Sequence, residues 1–186
     1  MASIERRAFM KGAGLGALAF TVGGVEVMMT ASEAHAQGVP FRSLKEHEGE
    51  TIEAMGETLV PGARKSGIAH FIDQQISVPA EEALLQARIF NVRPPFANFY
   101  RAGLGAIDRG SEKMFGRKFI ALSAPEQSAF VRLMFQNKVD GWSGPPAGFV
   151  YTILRSDAVD VVYGTMEGYA ALGIPYQAHI VPEKRW

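Results

Sequence analysis

Cysteine is absent from the 186-residue chain. That excludes a covalently attached c-type haem, an iron–sulfur cluster held by thiolates, a thiol nucleophile and any disulfide. Histidine is scarce, with only His35, His47, His70 and His179. None follows a glutamate at the three-residue spacing of di-iron helical bundles, and there is no H-E-x-x-H pair. Net charge is also lacking: 19 basic side chains balance 19 acidic ones, so nothing in the composition suits nucleic acid or an anionic membrane surface. No repeat or low-complexity tract is present. Residues 12–30 are only weakly apolar, because Gly12, Gly14, Gly16, Gly23 and Gly24 dilute them. They also contain Glu26, an ionised side chain that costs about 2.5–3.5 kcal/mol at the centre of a membrane span.

What is present begins with an export leader. Arg6, Arg7 and Lys11 form a basic head, the weakly apolar run follows, and Ala34-His35-Ala36 has the small-x-small form of a cleavage site. Adjacent arginines followed by Ala8-Phe9-Met10-Lys11 resemble the twin-arginine pattern. Arg6, Arg7, Phe9 and Lys11 are therefore the expected signal to the twin-arginine translocase, Ala34 and Ala36 the cleavage determinants, and the periplasm the destination. An uncleaved anchor is the alternative. Gly12 to Ala17 also fits G-x-G-x-x-A, but no strand precedes it and it lies inside the leader, so it is not read as a dinucleotide site. Cleavage after Ala36 leaves 150 residues from Gln37, enough for one compact domain. A chain without disulfides loses nothing by folding in the cytoplasm before export.

From residue 37 on, apolar residues recur at three and four positions between proline and glycine breaks. Leu44, His47, Glu48, Ile52, Met55 and Leu59 lie near one side of a helix, with Ser43 and Glu46 at capping-box spacing and Pro61-Gly62 as its stop. Ile68, Phe71, Ile72 and Ile76 predict a short second helix, and Pro79 with Glu81 and Glu82 the start of a third that carries Leu84, Leu85 and Ile89. Phe96, Phe99, Tyr100, Gly103, Leu104 and Ile107 mark the wide apolar face of the longest helix, running to about Phe115 before Gly116. Ser123 and Glu126 form a second capping box before Phe130, Leu133 and Met134. After the break at residues 140–146, Val150, Ile153, Leu154, Ala158 and Val162 keep helical spacing, although Val159 to Tyr163 lean towards β-structure. The expected fold is mainly α, a compact bundle of about six helices with an irregular C-terminal tail.

Candidate chemistry is sparse. His47 beside Glu46, Glu48, Glu50 and Glu53 reads as a solvated helix face rather than a metal site. His70 reads as a helix-surface or partly buried side chain, since no nucleophile pattern accompanies it, and His35 leaves with a cleaved leader. Asp157 and Asp160, after Arg155, read as local ion-pair and capping partners. The glycines and prolines of residues 141–146 fit a loop that leads into a helix, or an anion cradle. The tail from Gly164 to Trp186 is rich in aromatics. It is expected either to pack on its own helices or to lie on another subunit, with His179 as a possible contact.

Three segments carry a family resemblance: "ETLVPGARKSGIAHFIDQQI" (57–76), "FYRAGLGAIDRGSEKMFGRKFIALSAPEQ" (99–127) and "LRSDAVDVVYGTMEGYAALGIPYQAHIVPEKRW" (154–186). They resemble the small subunit of gluconate 2-dehydrogenase, known as subunit 3. The resemblance implies a non-catalytic helical subunit that accompanies a large FAD-binding flavoprotein of the glucose–methanol–choline class, which oxidises a sugar, sugar acid or alcohol. A c-type cytochrome often takes the electrons onward. No catalytic, cofactor or metal residue is assigned to this chain. The large subunit of such complexes commonly has no leader, so the twin-arginine address here is expected to export both chains. Trp142, Tyr151, Tyr169, Tyr176, His179 and Trp186 are the expected partner contacts. Where many relatives have a Gly-Gly-Asn run, Tyr163-Gly164 is here followed by Thr165-Met166. Alternatives are a transient export chaperone for the flavoprotein and a stand-alone periplasmic metal enzyme.

Overall fold

The computed structural model describes residues 16–174. It begins with an antiparallel hairpin, β1 (Leu18–Val22) and β2 (Val25–Met29), with Leu18 opposite Met29 and Val22 opposite Val25. Eight α-helices follow: α1 (Ala31–Ala36), α2 (Glu46–Leu59), α3 (Ile68–Ile76), α4 (Gln86–Ile89), α5 (Phe96–Phe115), α6 (Ala124–Phe135), α7 (Ala147–Tyr163) and α8 (Met166–Ala171). A short 3-10 turn, Phe119–Ala121, links α5 to α6. The chain is mainly α, as expected, with more and shorter helices than the apolar pattern alone suggests.

The core forms around α7, which packs against α2, α3, α4, α5, α6 and α8. Val150, Ile153, Leu154, Ala158 and Val161 are all buried on it. With Val159 and Val162 also packed against the core from the flanks of that face, tertiary packing outweighs the weak β-preference of Val159 to Tyr163 and keeps them helical. On α5 the buried face is the expected one, and Gly103 brings that helix close to Val150. Helix α5 ends at Gly116, whose φ of 73° is left-handed backbone that terminates a helix. The Ser123–Glu126 capping box opens α6 as read from the sequence, and Phe130 and Met134 point inward.

Three local expectations are corrected. Helix α2 does not begin at a Ser43–Glu46 box. The Ser43 hydroxyl instead pairs with that of Ser77 at 2.6 Å, and Glu48 accepts the Lys45 N–H at 2.8 Å. The start of α2 is held by Asp73 on α3, whose carboxylate accepts the N–H groups of Arg42, Ser43 and Leu44 at 2.8, 2.8 and 2.7 Å. The expected third helix shrinks to the four residues of α4, because side chains of Gln75 and Asp157 take the N–H groups of Leu84 and Gln86. Leu85 is buried, whereas Leu84 and Ile89 are exposed. The tail is not irregular throughout its described part, since Thr165 caps α8 by accepting the Gly168 N–H.

The N-terminal segment departs most from expectation. Residues 18–36, assigned above to the leader, fold as the hairpin and α1 and pack on α3. Gly23 and Gly24 both have positive φ, which a two-residue hairpin turn of matching twist requires. Thr30 and Glu33 form a capping box on α1. Phe20, Met29, Ala34 and Val39 then make a small second core. Among the described residues no helix is long and apolar enough to cross a membrane.

Asp73 is buried, so its replacement by alanine leaves three backbone donors without their acceptor. Asp73→Ala should lower unfolding stability by about 3 kcal/mol or more. Urea denaturation measures this directly, and a loss below about 1 kcal/mol would contradict the anchoring of residues 42–44 by Asp73.

Candidate functional site

The aromatic residues expected to meet a partner are spread over the C-terminal half. Trp142 is half-buried in the loop before α7, its indole N–H donating to the Pro145 carbonyl at 2.7 Å. The loop therefore positions a tryptophan and leads into α7. Tyr151, near the start of α7, stacks at 5.3 Å on Phe135, which is exposed at the end of α6. Tyr169 is half-buried on α8. Tyr176, His179 and Trp186 lie outside the described residues, as do Arg6, Arg7, Phe9 and Lys11. Sequence periodicity missed a further apolar surface: Leu84, Ile89 and Phe90 are exposed on and beside α4, with Phe90 edge-on to Phe149 at 6.3 Å. No local pattern signals it, because the side chains that shorten the third helix, Gln75 and Asp157, come from α3 and α7.

Three buried polar groups bind the elements together. Asp73 has been described. Asp157, in the middle of α7, accepts the Tyr100 hydroxyl at 2.6 Å and the Gln86 N–H at 2.9 Å, while Asp160 takes the Gln86 side-chain amide. Asp157 thus caps α4 and pins α5 to α7, a longer-range role than the local ion pair expected from its spacing. Burial pushes its carboxyl up from 3.8 to about 7, with the hydrogen bonds from Tyr100 and Gln86 opposing. Burial also raises the Tyr100 hydroxyl well above its ordinary value, and the neighbouring Asp157 adds to that. Both side chains are buried, Asp157 fully, and their hydrogen bonds join three helices, so the perturbed acidity accompanies a structural network.

The third group is His70 on α3, which is only 5% exposed. Its Nε2–H donates to the Val39 carbonyl at 2.9 Å, and its Nδ1 has no hydrogen-bond partner. Phe41 packs on its ring at 4.8 Å and His35 meets it edge-on at 5.6 Å. Burial lowers its pKa, opposed by the hydrogen bond it donates to the Val39 carbonyl. His35 Nδ1 lies 3.2 Å from Oε1 of Glu53, and Arg64 Nε lies 3.7 Å from Glu53 Oε2. Glu53 and Arg64 also line an open groove with Glu50, Ile120 and Gln127. His47, by contrast, stands exposed on α2, as its acidic surroundings suggested.

A family model described as gluconate 2-dehydrogenase subunit 3 matches residues 46–179. The chain belongs to that family. The match begins at the first residue of α2 and covers the main core except Leu44 and Phe41, so the hairpin and α1 lie outside it. No curated protein and no solved structure matches the chain. As a gluconate 2-dehydrogenase subunit 3-type accessory chain, it belongs in a complex with other gluconate dehydrogenase subunits.

The Asp157 assignment predicts a pH dependence. Unfolded, the carboxyl ionises near 3.8, and folded near 7. The group's contribution to stability is therefore complete below about pH 4 and is lost as pH rises towards about 7. Asp157→Asn retains the shape and an acceptor for Gln86 but removes the charge. Its stability relative to the natural chain should rise across that window by up to about 1.4 kcal/mol per pH unit. Parallel curves for the two proteins between pH 4 and 7 would refute the shifted carboxyl.

Proposed function

We propose that this chain is the non-catalytic small subunit of a periplasmic FAD-dependent dehydrogenase complex, and that its twin-arginine leader exports the folded flavoprotein with it. The family match over residues 46–179 carries this reading. The Arg6-Arg7 leader supports the export role, because a flavoprotein has to load FAD and fold in the cytoplasm before translocation. In this account FAD belongs to a large glucose–methanol–choline-type subunit and a c-type haem to a third chain. The mature assembly sits in the periplasm, held at the inner membrane through the complex.

The surface around α4 supports a stable partnership. Leu84, Ile89 and Phe90 are large apolar side chains exposed within one short stretch, and clustered exposed apolar residues are a mark of contact surfaces. Together with Phe135 and Tyr151 they supply aromatic and aliphatic anchors of the kind that dominate interfaces. The packing of residues 18–36 on α3 favours a leader that stays on the chain, because Ala34 is fully buried and the Ala36–Gln37 bond closes a capped helix. A peptidase would need α1 to leave its seat.

Changing Arg6 and Arg7 together to lysine should leave both this chain and the flavoprotein in the cytoplasm. Cell fractionation with dehydrogenase assays of each fraction tests this, and normal export of the flavoprotein would refute the escort role. For the interface, Ile89→Asp should reduce co-purification of the large subunit at least tenfold while leaving the fold unchanged by circular dichroism. Undiminished co-purification would remove the α4 surface from the contact.

A further inference from the structure

We propose that His35, Glu53 and His70 form a binding site for one divalent transition-metal ion of the zinc class. One ligand atom from each residue lies within 4.8 Å of the other two. The set combines two imidazole nitrogens with one carboxylate oxygen, a donor set suited to zinc, cobalt or nickel rather than calcium or magnesium. Three protein ligands leave a position open to water or to a group from outside.

Two features set this cluster apart from a chance meeting of polar side chains. His70 is buried, its Nε2–H is used by Val39, and its Nδ1 has no partner. A backbone carbonyl on one ring nitrogen fixes the tautomer and leaves the lone pair on the other, the arrangement that metal-ligating histidines adopt. The cluster also reaches the surface, since His35 and Glu53 are partly exposed and Glu53 lines a groove with Glu50, Arg64, Ile120 and Gln127. Ligand atoms around a tetrahedral zinc stand about 3.3 Å apart. His35 and Glu53 already sit at 3.2 Å, so closing the site needs only a small inward movement towards His70. His35 and Glu53 are 29% and 19% exposed, which leaves their side chains room to make it. Arg64 at 3.7 Å from the second Glu53 oxygen is the competing cation, and it does not occupy the oxygen that faces His35.

The three ligands come from α1, α2 and α3, so the metal would link the N-terminal segment to the main domain. That segment is brought in by close backbone packing: a side chain at Gly67 would run into the Ala31 carbonyl, and Ser32 donates to the Lys65 carbonyl at 3.0 Å. The site therefore belongs to the chain that keeps residue 35, and a chain starting at Gln37 lacks it.

The test uses the full-length chain, its N-terminus verified by intact mass, titrated with Zn2+ by calorimetry and with Co2+ by visible absorption after treatment with chelator. The expected result is one equivalent bound, with tetrahedral Co2+ bands. His35→Ala and Glu53→Gln, both at partly exposed positions, should each weaken binding at least tenfold, and His47→Ala should not change it. Binding to the natural chain no tighter than to His35→Ala and Glu53→Gln would overturn the site, as would a loss of binding in His47→Ala.

Discussion

Three residues apart on one short helix, His70 and Asp73 fix the stretch of chain that leads into α2. Asp73 gathers three consecutive backbone N–H groups, and His70 takes the carbonyl of Val39 a few residues earlier. Between them they determine the path of residues 39–44, and with it the start of α2 and the seat of the hairpin and α1. The opposite side of the same helix buries Ile68 and Ile72 in the main core. Helix α3 is thus shared by two cores, and either loses its anchor if the helix shifts. Backbone donors without partners are costly in a buried place, so a single carboxylate that satisfies three of them constrains the fold more than any one apolar contact.

The second organising element is α7. It is apolar on several sides and contacts nearly every other helix, yet carries Asp157 in its middle. The carboxyl has two donors, Tyr100 and the N-terminus of α4, and ties together helices that are far apart in sequence. This explains why a residue that looks like half of an acid–base pair on paper works as a joint. The chain's buried polar groups serve mainly architecture, in keeping with a subunit whose family membership places it in a complex.

What was legible in the sequence follows from how local the cause was. The capping box at Ser123, the stop at Gly116 and the apolar face of α5 depend on residues within a few positions of one another, and all are present in the structure. The start of α2 differs from the expected one because Asp73, about thirty residues away, takes the N–H groups of residues 42–44, and the local box forms two residues later, between Lys45 and Glu48. The third helix was misread because Gln75 and Asp157 compete for its backbone. Residues 18–36 were read by composition as a leader. Their hairpin shows in the sequence only as Gly23-Gly24 between β-formers, a weak signal inside a stronger one. The histidine cluster was invisible for the same reason: His35 lies outside the span attributed to the domain, so its approach to His70 had no expression in spacing.

A subunit whose own buried polar groups act as joints should reveal its role through its companions. The most direct measurement is purification of the chain from the envelope fraction under native conditions, with mass spectrometry of every co-purifying protein and of the chain's own N-terminus. The account predicts a stoichiometric yellow flavoprotein bound to this chain. A lone, colourless chain would contradict it.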